Sequence, residues 1–107
     1  MMHWQMNQAK LLRYLLNPNH PKGQSRVKFF AAFGYTLDNP EALASVLIRH
    51  PMVNEPGREV QIPGQLPRMV FEGDTHGNDG QPMPVCTVWE KGEGGVLRFI
   101  TAVPLTR

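Results

Sequence analysis

The alternation of apolar and polar residues divides the chain into a helical first half and a stranded second half. In the first half, apolar residues recur at helical spacing and predict three helices, over residues 8–16, 25–33 and 40–50. These helices should end at Asn17-Pro18, at Gly34 and at Pro51. Proline disfavours helical geometry in the residue before it, and glycine readily adopts the left-handed conformation that closes a helix.

Capping residues support the second and third helices. Ser25 and Asn39 fit the N-cap position, and Pro40 fits the first helical position. Glu41 suits the positive end of the helix dipole. We expect the core-facing side chains to be Val27, Phe30 and Phe33 in the second helix and Leu43, Val46 and Leu47 in the third.

From Pro56 onward the apolar period shortens to two, which is typical of half-buried strands. The pattern predicts strands over residues 59–62, 68–72, 85–90 and 97–103, with turns at residues 74–81 and 91–95. Short connections between consecutive strands favour an antiparallel meander. The predicted fold is therefore α+β, with two to three N-terminal helices packed on one face of a four-stranded antiparallel sheet. The 107 residues should form a single domain, with a basic helical part at 1–51 and the sheet at 56–107.

The composition indicates in which cellular compartment the protein is located. Cys86 is the single cysteine, so no intrachain disulfide can form, and this predicts a reducing, cytoplasmic location. For a toxin, that location would be the cytoplasm of another cell. No apolar run is long enough to cross a membrane, and the first residues lack the apolar segment of a signal peptide.

Charge is distributed unevenly along the chain. Residues 1–37 contain five Lys or Arg and no acid, whereas residues 38–107 contain six Lys or Arg and all nine acids. A cationic first third predicts an anionic partner such as RNA. The alternative is a solvated basic face that the acidic remainder balances in three dimensions.

The segment from His20 to Lys28 carries the clearest candidate chemistry. It contains one histidine and three cations, Lys22, Arg26 and Lys28, in a loop and the start of the predicted helix that follows. Backbone N–H groups at a helix start favour an anion, and the imidazole can titrate near neutrality. The segment therefore predicts phosphate binding by the three cations and an acid–base role for His20, unless His20 packs against the turn and the cations are only solvated.

A second candidate cluster lies on the last two predicted strands and consists of Thr87, Trp89, Arg98 and Thr101. Trp89 offers a ring on which a base could stack, or else a core side chain, and Arg98 offers a fork for phosphate. With an odd loop after Lys91, Trp89 shares a face with Leu97, Phe99 and Thr101, and with an even loop it shares one with Arg98. Arg98 and Thr101 point to opposite faces unless a bulge intervenes, so the four residues cannot share one site in a regular hairpin.

No cofactor or metal site is predicted. The four histidines and Cys86 lack the spacing of zinc ligands, and Cys86 lies inside a predicted strand, as a small buried residue does. Gly92-Glu93-Gly94-Gly95 joins two strands, which is typical of a hairpin and not of a nucleotide-binding loop.

Several short motifs resemble a small bacterial domain family of unknown function. They are Tyr14-Leu15-Leu16-Asn17-Pro18, His20-Pro21, Gly23, Lys28-Phe29-Phe30, Phe33-Gly34-Tyr35, Thr87-Val88-Trp89, Arg98, Thr101-Ala102 and Pro104. Members of that family occur as stand-alone proteins and at the C-termini of larger secreted chains, and some are labelled adhesins. The resemblance spans nearly the whole chain, with gaps over residues 52–84.

The same order of elements resembles the metal-independent ribonuclease fold of bacterial toxins, although a fold does not fix a function. That resemblance implies RNA cleavage with His20 and Thr101 as catalytic residues. Two positions depart from the family pattern: Arg26 stands at a lysine position and Val103 at a tyrosine position. The competing interpretations are a non-catalytic protein-interaction module of accessory or immunity-like type, and nucleic-acid binding without chemistry.

Overall fold

The computed structural model describes residues 3–6, 24–36 and 38–105. Its elements are β1 (His3–Gln5), α1 (Gln24–Ala32), α2 (Pro40–Val53), β2 (Arg58–Val60), β3 (Arg68–His76), β4 (Pro82–Lys91), a 3-10 turn (Glu93–Gly95) and β5 (Val96–Pro104). The helix predicted over residues 8–16 lies outside the described residues, as do His20 and Lys22.

The sheet has five strands in the order β1-β5-β4-β3-β2. Strands β2 to β5 form the predicted antiparallel meander. Strand β1 pairs in parallel with β5, placing His3 opposite Val96 and Gln5 opposite Arg98. The prediction of a purely antiparallel, four-stranded sheet confined to residues 56–107 is therefore wrong.

Strand β1 escaped prediction because three residues are too few to show an alternating pattern. It is held by the Trp4 side chain, which packs against Trp89 with ring centroids 5.0 Å apart and against Phe71 at 6.1 Å, both edge to face. Aromatic pairs of this geometry add stability beyond the area they bury. A single aromatic residue thus attaches the strand to the core.

Strands β3 and β4 are longer than predicted. They pair along their whole length, from Arg68 opposite Glu90 to His76 opposite Pro82, so residues 74–76 belong to a strand and not to a turn. The side chain of Thr75 is buried on the core side, so the strand continues here although its sequence is polar. The turn is residues 77–81, closed by the Gly77 N–H donating to the Gln81 carbonyl over 2.7 Å.

Helix α1 begins at Gln24, so Ser25 lies inside the first turn and not at the predicted cap. Its predicted end is confirmed, since Gly34 follows with φ of +88° and donates its N–H to the Ala31 carbonyl. Phe30 is fully buried, and Phe29 packs against both Phe30 and Phe33, so this helix contributes a cluster of aromatic side chains to the core.

Helix α2 starts at Pro40 as predicted, with Asn39 at the cap position. The Asn39 amide turns back to the preceding loop, where it accepts from the Thr36 N–H and donates to the Gly34 carbonyl. Pro51 does not end the helix, which continues to Val53. His50 and Pro51 are both buried against the sheet, and this burial offsets the helix bond that the proline ring removes.

Helix α2 covers one face of the sheet along β3 and β4, and α1 lies against β5 and adds Phe30 to the same buried core. The buried apolar cluster combines residues of both helices with inward residues of β3, β4 and β5; its members are Phe30, Tyr35, Leu43, Ala44, Leu47, Phe71, Met83, Val85, Trp89, Leu97, Phe99 and Ala102. We call this side of the sheet the core face and the opposite side the outer face. None of the described helices is both long and apolar enough to cross a membrane.

Candidate functional site

Two residues singled out separately in the sequence meet in the structure. Arg26, in the first turn of α1, donates from Nη1 to the Thr101 hydroxyl on β5 over 3.4 Å. This is a long hydrogen bond and therefore a weak one. Because α1 contacts β5, the helix itself holds the guanidinium beside the last strand. The contact joins a predicted phosphate ligand to a predicted catalytic hydroxyl.

A β-bulge decides which residues share the face with Thr101. The β4–β5 register changes between Val88 and Trp89: Trp89 lies opposite Phe99, whereas Val88 lies opposite Thr101 and Ile100 is the extra residue. Thr87 and Trp89 are buried in the core, so Val88 between them points to the outer face, and Thr101 does too. Bulges re-aim side chains in this way and are frequent beside functional sites.

Arg98 lies on the same outer face. It pairs in register with Glu90, and its Nη1 lies 3.4 Å from Glu90 Oε1. The Arg98 side chain is 54% exposed and that of Glu90 28% exposed, so solvent screens much of this attraction. A phosphate oxygen could therefore compete with Glu90 for the guanidinium. We call Arg26, Arg98 and Thr101 the outer-face cluster.

The remaining predicted site residues are distributed differently. Lys28 is exposed one turn along α1 and makes no hydrogen bond or ion pair with any described residue. His20 and Lys22 lie outside the described residues, so their predicted roles stay predictions. Of the predicted set, the described part of the chain thus brings Arg26 into contact with Thr101 and places Arg98 on the same face of the sheet as Thr101.

Trp89 does not belong to this cluster. Its side chain is fully buried on the core face, edge to face with Trp4 and with Phe99 at 5.3 Å. A base cannot reach the ring there, so the predicted stacking role of Trp89 is corrected to core packing. Lys91 pairs with Leu97, so the loop between them has an odd number of residues, and Leu97 and Phe99 share the core face with Trp89 as expected for an odd loop. The bulge, however, turns Thr101 to the outer face.

A buried polar pair that the sequence pattern did not predict lies on the core face of the sheet. His50 on α2 is fully buried, with Nδ1 2.8 Å from the Thr87 hydroxyl and Nε2 3.0 Å from the Gly73 carbonyl. A carbonyl can only accept, so Nε2 carries the proton and Nδ1 accepts from Thr87. Burial lowers the pKa of His50, and hydrogen bonds to backbone carbonyls only partly oppose this. The position of His50 three residues after Leu47 on the apolar stripe was the signal for its burial.

Nucleophilic and metal chemistry find little support in the described part of the chain. Cys86 is half-buried on the outer face, and burial followed by the nearby Glu72 carboxylate raises the pKa of its thiol. A thiol that stays protonated is a poor nucleophile. Residues 3–6, 24–36 and 38–105 contain no group of three or more His, Cys, Asp or Glu placed to hold a metal ion.

The fold has a counterpart among solved structures. One chain of the contact-dependent growth inhibition toxin–immunity protein complex from Klebsiella pneumoniae 342 matches with a TM-score of 0.71 and 13% identity. The match covers 94% of this chain and 98% of that chain. At this identity the likeness shows the fold alone. No curated protein matches the sequence.

At the sequence level, a family model matches residues 1–106, almost the entire chain. The resemblance to a small domain family of unknown function is thereby confirmed at the level of a family, although the individual motifs and the ribonuclease fold are not tested by the match. The chain belongs to the family described as a domain of unknown function, DUF6883.

Proposed function

We propose that this protein is a toxin-type domain that binds RNA on the outer face of its sheet and cleaves it without a metal ion. The observation that carries this proposal is the contact between Arg26 and Thr101, which joins a cation and a hydroxyl on the strand that the bulge re-aims. Arg98 adds a second guanidinium on the same face, in a partly exposed ion pair with Glu90.

The proposed reaction is attack of a ribose 2′-hydroxyl on the adjacent phosphorus. A base removes the proton of that hydroxyl, the bond to the 5′-oxygen breaks, and an acid protonates the leaving oxygen. The phosphate gains negative charge in the transition state, which a fixed guanidinium stabilises. We assign the proton transfers to His20 on sequence grounds, phosphate binding to Arg26, Arg98, Lys22 and Lys28, and substrate orientation to the Thr101 hydroxyl.

Two further observations support the proposal, the first for an anionic substrate and the second for a toxin. All nine acids lie after residue 37, so the segment that provides Arg26 and Lys28 carries cations only. The fold is that of a chain in a toxin–immunity complex, which is compatible with a toxin.

The same likeness favours a second candidate function. The matched structure contains a toxin and an immunity protein, and an immunity-like domain would bind a protein and cleave nothing. The excess of acids over cations in residues 38–107 suits a protein that neutralises a cationic surface. The two candidates differ in one property, which is turnover of RNA.

The test is incubation of purified protein with a tRNA mixture in EDTA. We expect cleavage by the wild type, with the rate lowered at least about 100-fold in His20→Ala, because general acid–base catalysis contributes about 10²–10⁴. Arg26→Ala and Thr101→Val should each lower the rate about 10- to 100-fold by removing a contact that strengthens in the transition state. Intact tRNA at high protein concentration would contradict the proposed enzymatic function.

Arg49→Ala is the matched control. Arg49 is an exposed arginine on α2, which packs against the core face, so it lies across the sheet from Thr101. Its removal deletes the same charge and should leave cleavage unchanged. Equal losses in Arg26→Ala and Arg49→Ala would indicate a general charge effect and contradict the assigned site.

A further inference from the structure

Helix α2 presents a second face that no part of the described chain covers. Its buried side chains point to the sheet; they are Leu43, Ala44, Leu47, His50 and Pro51. Its exposed side chains fall on one other face, since residues four and seven apart are neighbours on a helix. We call these five residues the outer helix face: Glu41, Ser45, Arg49, Met52 and Val53.

The C-terminal end of this face is apolar, where a solvated helix is usually polar. Met52 is 50% exposed and Val53 67% exposed, and they account for two of the three large hydrophobic side chains that are exposed among the described residues. Val53 and Arg49 line a groove of about 380 Å³ between α2 and the end of β3. Adjacent exposed apolar residues beside a recess are typical of an interaction surface.

The charges of this face also lack partners among the residues that the structure describes. Neither Glu41 nor Arg49 makes a hydrogen bond or ion pair with a described residue. Elsewhere in the described chain, each of the other arginines has a partner, such as Glu72 for Arg58 or Gln65 for Arg68. Glu41 and Arg49 are two turns apart, about 12 Å along the axis, with the small Ser45 midway between them.

We propose that the outer helix face binds a second copy of this chain, with the two α2 helices antiparallel about a twofold axis at Ser45. A twofold axis there places Glu41 of each copy opposite Arg49 of the other, so one surface supplies both halves of two identical ion pairs. Ser45 meets Ser45 at the crossing, where small side chains permit helix axes about 8 Å apart. By the same symmetry Met52 of each copy lies opposite Asp38 of the other, just before the start of the opposite helix, and loses exposure.

The proposed dimer is small and its affinity should be modest. One face of a 14-residue helix with its flanking groove buries less than the roughly 800 Å² per partner of a standard interface. The contact is made on the far side of the core from the outer-face cluster, so both copies keep Arg26 and Thr101 accessible. The proposal therefore does not rest on the RNA-cleaving function, and its test is independent.

The test is sedimentation equilibrium of the full chain at low salt, up to about 0.5 mM, which exceeds the dissociation constants usual for small transient interfaces. We expect a monomer–dimer equilibrium in the wild type. Arg49→Glu and Glu41→Arg should each weaken it at least about 10-fold, because each reversal turns both symmetric ion pairs into repulsions. The doubly reversed variant should return to within about 3-fold of the wild type.

Both substituted side chains are exposed, so the variants should keep the fold, which circular dichroism checks. A wild type that stays monomeric over the whole range would overturn the proposal and leave the face to a different protein partner. A dimer that survives both single reversals, or a double reversal that fails to restore association, would overturn the proposed pairing.

Discussion

His50 carries a titratable ring that the fold holds in its neutral form. Its pKa is lowered by burial, so between this value and the unfolded value of about 6.5 the unfolded chain binds more protons than the native chain. The contribution of His50 to stability is therefore complete above about pH 6.5 and is lost as the pH falls. We predict that the free energy of unfolding in urea decreases from pH 7.5 to pH 5.5.

His50→Gln is the variant that isolates this effect, because glutamine keeps polar contacts but does not titrate in that range. We expect the variant to be less stable than the wild type at pH 7.5 and to show a flatter dependence on pH between 7.5 and 5.5. The same slope in both proteins would mean that another group causes the pH dependence.

Thr87 has a role that its position in a strand does not suggest. Its buried hydroxyl donates to Nδ1 of His50. Thr87→Val keeps the shape but leaves that nitrogen without a donor, so we expect a loss of about 1–3 kcal/mol in the free energy of unfolding. Thr75→Val is the control, since Thr75 is also buried but makes no hydrogen bond through its hydroxyl to a described residue. Equal losses in the two variants would contradict the role of the His50 contact.

At the residue scale, charge and hydroxyl chemistry selected Arg26, Arg98 and Thr101 as candidates. The structure brings Arg26 into contact with Thr101 and places Arg98 on the same face as Thr101, and the roles of all three stay predictions. The sequence could not decide between core and surface for Trp89, because that choice depends on strand register. His50 was treated only as a possible metal ligand, because its partners Thr87 and Gly73 are distant in sequence.

At the element scale, the end of α2 is fastened to β3 by one side chain. The Asn54 amide donates to the His50 carbonyl over 2.9 Å and to the Asp74 carbonyl over 3.1 Å. The first bond satisfies the helix end and the second occupies a carbonyl on the part of β3 beyond its pairing with β2. Asn54 thus closes a helix and covers part of a strand edge.

This fastening requires a glycine at position 73. A Cβ atom at Gly73 would lie 1.8 Å from Asn54 Oδ1, far inside contact distance. We predict that Gly73→Ala lowers the free energy of unfolding by roughly 2–4 kcal/mol, since Asn54 or the strand must move. Gly64→Ala is the matched control, because Gly64 also has a positive φ but no atom within 4 Å. Its cost should be only about 1 kcal/mol.

Chemical denaturation of both glycine variants checks this comparison. Similar losses would indicate that backbone conformation alone explains the requirement for glycine, and the crowding by Asn54 would then be unimportant.

Elements were predictable where the local pattern was long and consistent. The meander and the start of α2 followed from period and capping residues. The ends failed for tertiary reasons: burial of Pro51 carries α2 past the proline, and pairing with β4 extends β3 to His76. Strand β1 depends on a contact between Trp4 and residues more than 60 positions away.

At the scale of the whole molecule, the sheet separates two kinds of surface. The outer face carries Arg98 and Thr101, with Arg26 of α1 in contact with Thr101, whereas the side covered by α2 ends in the outer helix face with its exposed Met52 and Val53. Charge asymmetry in the sequence predicted a cationic region but not its place on the sheet. Ile100 decides that place, because the bulge turns Thr101 toward the face of Arg98.

We propose that this molecule cleaves RNA through the ribose 2′-hydroxyl, and the chemical groups on the cut ends distinguish this reaction from other cleavage. Wild-type protein is incubated in EDTA with a tRNA and with a DNA strand of the same sequence, and the products are identified by mass. We predict cleavage of the RNA alone, with a 2′,3′-cyclic phosphate on one fragment and a 5′-hydroxyl on the other. Intact RNA, or cuts in both strands that leave 5′-phosphates, would contradict the proposed function.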